Sequence, residues 1–261
     1  STFGVDHTTA CPCGNTGAAG NGCANSVNAA GGHLAASGLQ AFDSPSTPGR
    51  ASLRSAPMTL DAELEQPGLP VADRLLAISG AAIWSADWPR LCAAAKAAST
   101  RGLPRAELEE ALLQAVLFCG FPRVVTAFEQ LATAWPVATP PSGGAVPEGE
   151  RCTAGRALFA AIYGKNDAAV RGMLASFHAE FHDFVLESAY GRILARPGLS
   201  PLRRELLAVA LLAAQDQPRQ FVAHARGAIT FGADRAQLRE VLATVFRGDA
   251  VRVDAWLARV R

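Results

Sequence analysis

The second half of the chain repeats the layout of the first. Aligning Gly102 with Gly232 lays RAELEEAL over RAQLREVL and Glu110 over Glu240, at a period of about 130 residues. Each copy reads as helix, glycine, short turn and then an amphipathic helix carrying the glutamate. A period that long is not a solenoid repeat, so duplication of one small helical domain is the better explanation, with the copies associating as a pseudo-dimer. They share architecture but not chemistry, because Ala94 falls where the second copy has His224.

The helical reading rests on spacing. LPVADRLLAISGAAIWSADWPRLCAAAKAASTRG and LPRAELEEALLQAVLFCGFPRVVTAFEQLATAW place apolar residues at three- and four-residue steps. Pro104 suits a first helical turn, and Gly102 suits a left-handed cap on the helix before it. Gly120 and Pro122 then punctuate the pattern. Residues 137–150, VATPPSGGAVPEGE, read as a linker, and RPGLSP with its two prolines reads as a turn. Residues 1–57 are rich in Gly, Ala, Ser and Asn, almost uncharged before Arg50 and without periodicity. Such a segment buries too little apolar side chain to offset its ordering entropy and is expected to be a disordered or irregular leader. The expected organisation is therefore all-α: a leader (1–57), a helical domain (58–136), a linker (137–150) and a second helical domain (151–261).

Composition excludes some partners. With 49% apolar and 18% charged residues among 261, the chain can bury one or two ordinary cores. A net charge of +1 and no Lys/Arg run leave no electrostatic footprint for nucleic acid or an anionic membrane, so neither is an expected partner. No run approaches the ~18 consecutive apolar residues of a membrane span, and the expected compartment is the cytoplasm. Cys11, Cys13 and Cys23 cluster in CPCGNTGAAGNGC, but they are odd in number and lack a fourth ligand at a zinc-like spacing, so no metal is expected there. Cys92, Cys119 and Cys152 lie in helix-like surroundings and read as small core hydrophobes.

His224 is the residue most open to chemistry. A lone histidine on a partly apolar helix face is more often packed than catalytic, and its value rises if a carboxylate converges on it, since imidazole exchanges protons near neutral pH. Glu187, Glu205 and Glu240 can supply that carboxylate. Arg196, Arg203, Arg204 and Arg226 offer guanidinium groups able to grip a substrate carboxylate in bidentate fashion or to stabilise an enolate left when carbon dioxide departs. His178 and His182 have the i, i+4 spacing of a metal pair, but no HExxH-type glutamate accompanies them and the signal is weak.

The stretch LESAYGRILARPGLSPLRRELLAVALLAAQDQPRQFVAHARGAITFGADRAQLREVL resembles the carboxymuconolactone decarboxylase family in its acidic-aromatic-Gly segment, RPGL turn, helix and H-x-R-G-A run ending at glycine. LLQAVLFCGFPRVVTAF is similar to the family's closing helix pair and marks a degenerate first copy. The resemblance implies two tandem alkylhydroperoxidase-D-like helical domains. Relatives that reduce disulfides carry Cys-x-x-Cys on the histidine's helix. Those positions here are Gln217 and Gln220, so peroxidase chemistry has no thiolate. What the resemblance then implies is a cofactor-independent decarboxylase of a small carboxylated lactone or related ring acid. His224 would transfer the proton, Glu205 or Glu187 would assist it, and Arg196, Arg204 and Arg226 would hold substrate oxygens. The alternative is a non-catalytic helical protein for assembly or ligand binding. The closing segment REVLATVFRGDAVRVD departs from the family pattern at Arg247 and Asp249. Single-domain relatives form rings, so a tandem chain is expected to be a homo-oligomer, a trimer or a dimer.

Overall fold

The computed structural model describes residues 58–138 and 144–260. The leader and its Cys11, Cys13 and Cys23 lie outside the described residues, as do positions 139–143 of the expected linker.

The described residues form helices, with no strand among them. In the first half these are α1 (Leu60–Leu64), α2 (Val71–Ser85), α3 (Trp88–Thr100) and α4 (Arg105–Ala134). In the second they are α5 (Arg151–Tyr163), α6 (Asp167–Phe177), α7 (Ala179–Phe184), a π-wound continuation (Val185–Leu194), α8 (Pro201–Ala214), α9 (Pro218–Thr230), α10 (Arg235–Val245) and α11 (Ala250–Leu257).

Local chemistry sets these boundaries. The Asp87 carboxylate accepts the Arg90 amide at the start of α3, the Ser200 hydroxyl accepts the Arg203 amide at the start of α8, and Asp234 with Gln237 forms a capping box on α10. Gly102 takes a positive φ of 67° behind α3, and Pro104 stands at the entry to α4, as the sequence predicts. At Gly120, φ 73° and ψ 168° split α4 into two helical stretches ahead of Pro122. Arg247 and Asp249, where the sequence leaves the family pattern, make a tight turn. Arg247 holds φ 52°, and the Asp249 side chain caps α11.

The two halves share their core. Helix α8 is buried all round from Arg204 to Ala213, as expected of a central helix apolar on every face, and it packs on α2, α4, α9 and α10. One apolar cluster joins Leu69 and Ala77 of the first half to Phe221, Leu242 and Trp256 of the second, and another joins Leu112 and Leu131 to Leu207 and Leu211. The period-3.6 stripes read from the sequence therefore close on one another across the repeat.

Two expectations change. Cys152 is exposed on α5 rather than buried, whereas Cys92 and Cys119 are half-buried, and all three are free thiols. His178 is not on a helix with His182. Its extended backbone (φ −170°, ψ 130°) separates α6 from α7, and His182 Nδ1 pairs instead with Asp183 at 2.9 Å. Helix α4 alone among the described residues has the length and apolarity to cross a membrane, but Gly120 interrupts it and α2, α3 and α8 pack on it.

Candidate active site

Helices α8 and α9 run side by side and bring Glu205 and His224 together across 19 residues of sequence. Glu205 Oε2 lies 3.0 Å from His224 Nδ1, and both residues are buried. The bond fixes the ring and directs its Nε2 away, where it has no hydrogen-bond partner among the described residues. Gly227, one turn beyond His224, makes room for the pair, because a Cβ there would collide with the Glu205 carboxylate and press on Ile162. Phe118, from α4 of the first half, makes a T-shaped contact with the His224 ring, the centroids 6.1 Å apart.

Two tyrosines complete this centre. Tyr163 ends α5 and Tyr190 lies in the π-wound segment. Gly155 and Gly191 let those helices cross with their backbones in contact. The Tyr190 hydroxyl donates to Tyr163 Oη at 3.3 Å, and Phe159 stacks on Tyr163 with centroids 4.3 Å apart. Burial first, and then the Glu205 charge, pushes the Tyr163 hydroxyl above its ordinary range, even though the Tyr190 hydrogen bond pulls it down. Burial likewise holds Tyr190 well above that range. Both phenols stay protonated at neutral pH. Sequence reasoning passed over Tyr163, though it stands at the end of an apolar helix just before GKND, where a buried phenol is a polar group in need of a partner.

Beside this centre a groove of about 840 Å³ runs between α5, α6 and α9. Lys165, Arg219 and Arg226 border it together with Tyr163, Val170, Met173 and Val222, and no carboxylate lines it. Arg226 therefore faces open space, as a substrate-holding residue must. The His224 ring is not part of this lining. Tyr163 is the polar group that both borders the groove and lies in the field of Glu205.

The other expected residues go elsewhere. Glu187 is exposed and makes no hydrogen bond to His224. Arg196 and Arg204 grip an internal carboxylate, that of Glu110 on α4: Arg196 reaches it at 2.6 and 2.9 Å, and Arg204 Nη2 at 2.8 Å. Burial alone would raise the Glu110 pKa, but the two arginine hydrogen bonds and charges outweigh it and hold the carboxyl below its ordinary value. Arg203 binds Asp73 and Glu107, and Glu240 binds Arg74. Among the described residues no three His, Cys, Asp or Glu side chains converge as a metal site would require.

At the repeat-related position the first half has no such centre. Ala94 stands for His224, and the same alignment puts Leu75 where the second half has Glu205. Both are buried, in an apolar cluster with Leu64, Ile78 and Ala98. Histidine and carboxylate have been replaced together, which avoids leaving either polar group buried alone.

These helices and the Glu205 to His224 spacing define a tandem alkylhydroperoxidase-D-like helical protein. The chain belongs to the carboxymuconolactone decarboxylase family, whose model matches residues 53–133 and 179–256, one segment in each half. It is also similar to "Peroxisomal protein 2" of Schizosaccharomyces pombe (strain 972 / ATCC 24843), with 29% identity over 135 residues. That match covers 51% of this chain and 63% of the relative.

Proposed function

We propose that the chain is a cofactor-independent proton-transfer enzyme, a carboxy-lyase of the carboxymuconolactone decarboxylase type acting on a small carboxylated ring acid. The observation that carries this reading is the buried Glu205–His224 pair beside a groove lined by three cations. A carboxylate substrate sits against Arg226 and Arg219, with Lys165 at the rim. The carbon–carbon bond to the carboxylate breaks, carbon dioxide leaves, and the electron pair passes into an enolate. His224, oriented by Glu205, delivers one proton to carbon and is reprotonated from solvent, so each turnover consumes one proton. A movement that brings ring and groove together is part of the proposal, because the His224 ring does not line the groove.

Arg196 and Arg204 have no part in substrate binding in this reading. Their role is to hold Glu110, and through it α4 against α8. The compartment in this proposal is the cytoplasm, and the peroxisomal name is the relative's. A homo-oligomer, trimer or dimer, is part of the proposal and is supported by Phe177, Phe181 and Phe184, which are exposed along α6 and α7.

A second reading, a non-catalytic ligand-binding or assembly protein, is favoured by the 8% exposure of His224 and by the erased site in the first half. Assay of carbon dioxide release in D2O over a set of small carboxylated lactones and keto acids separates the two. The enzyme gives product carrying one solvent deuteron at carbon. A protein that binds these acids yet releases no carbon dioxide from any of them is of the second kind.

A further inference from the structure

Nothing in the established family membership assigns a role to Tyr163, and its geometry is that of a ligand contact. We infer that Tyr163 is the hydrogen-bond donor of an oxyanion site at the head of the groove, holding the anionic oxygen of an enolate- or phenolate-like ligand whose carboxylate or ring lies toward Lys165, Arg219 and Arg226. This deepens the reading of a proton-transfer enzyme and rests on it for the identity of the oxyanion, though not for the binding itself.

Three observations converge. Tyr163 borders the groove, unlike Tyr190, which is buried behind it. Tyr190 donates its proton to Tyr163 Oη, so the Tyr163 oxygen accepts from the protein side. The Tyr163 proton has no acceptor among the described residues and is free for a ligand. Two phenols in series form a chain in which the inner hydroxyl polarises the outer one, so the outer becomes a better donor to a charged oxygen. The stack on Phe159 and the close crossing of α5 with the π-wound segment fix the ring, so the donor is positioned before the ligand arrives. Three cations around the groove and no carboxylate in its wall select for an anion.

The test is binding of 4-nitrophenolate, whose absorption reports its ionisation, to the full chain and to Tyr163→Phe and Tyr190→Phe. Tyr163→Phe keeps the stacked ring, and its fold is checked by thermal melting beside the wild type. The wild type takes up the phenolate and lowers the apparent pKa of the bound probe. Tyr163→Phe weakens binding by about tenfold or more, as expected for a lost hydrogen bond to a charged group, and Tyr190→Phe weakens it by less. Equal binding by wild type and Tyr163→Phe overturns the inference, as does a wild type that binds no phenolate. Because this readout needs no turnover, its failure is distinct from failure of the decarboxylase reading, which shows as absence of carbon dioxide release by a protein that binds.

Discussion

Arg204 of the second half is held by Glu110 of the first, Nη2 to Oε2 at 2.8 Å, while its repeat-related counterpart Arg74 is held by Glu240 of the second at 3.1 Å. Each copy's arginine grips the other copy's glutamate. Gln114 and Thr244, again at equivalent positions, accept from the same two guanidinium groups. The exchange is what a symmetric dimer interface looks like after its two subunits have been joined in one chain.

This exchange makes Glu110 a structural centre. Its side chain is 4% exposed and that of Arg204 is 2%, so removing the carboxylate strands two guanidinium groups, one of them fully buried. Glu110→Ala should cost about 3–5 kcal/mol. Asp254→Ala, which breaks the exposed pair with Arg239 at the surface, should cost under ~1 kcal/mol. Urea denaturation of both variants beside the wild type reads the difference.

The same carboxyl sets an acid limit. Its pKa in the folded chain is held below the ordinary value of 4.5 by Arg196 and Arg204 against the opposing effect of burial. Between the folded and unfolded values the unfolded chain binds the extra proton. The stability this group contributes is therefore complete above pH 4.5 and is lost as pH falls through the lowered folded value. Unfolding free energy measured from pH 6 downward should fall in that acid window, and Glu110→Gln should flatten this part of the profile while lowering stability at neutral pH.

Much of the fold was legible because it depends on nearest neighbours in sequence. The 3.6-residue stripes and Gly102 with Pro104 around the α3–α4 turn are local patterns, and the offset that aligns Glu110 with Glu240 is visible because each copy repeats the same local motif. Glu205 as the partner of His224 came from the family spacing, and the structure brings the two together. Arg196 and Arg204 were not legible in the same way. Their type fits a substrate carboxylate, but the carboxylate they hold is supplied from α4, 86 and 94 residues away in sequence. His178 fails as a metal partner of His182 because the helix breaks there, which no i, i+4 count detects. Tyr163 was missed because a tyrosine among apolar residues reads as core until its hydroxyl is seen to meet Tyr190.

Gly227 should be essential to the dyad although it touches no ligand. Alanine is favoured over glycine within a helix by roughly 0.5–1 kcal/mol, but here its Cβ meets the Glu205 carboxylate and Ile162. Overpacking of this kind costs about 1–3 kcal/mol, so the clash wins. Gly227→Ala should melt lower than wild type and lose activity out of proportion to its lost stability. Unchanged activity would mean that Glu205 does not orient His224.

The free thiols should differ in reactivity. Burial, opposed by the Arg123 charge, pushes the Cys119 thiol up to about 11, so it carries almost no thiolate at neutral pH. Cys152 is exposed. Timed alkylation with iodoacetamide followed by peptide mass analysis should label Cys152 well before Cys119.

The central claim is that His224 transfers the proton in a decarboxylation. The most direct measurement is carbon dioxide release from γ-carboxymuconolactone by the purified wild type beside His224→Ala, each checked for fold by thermal melting. Turnover by the wild type and a fall of about 10²–10⁴-fold in the variant are the expected result. Equal turnover by a folded His224→Ala variant would contradict it.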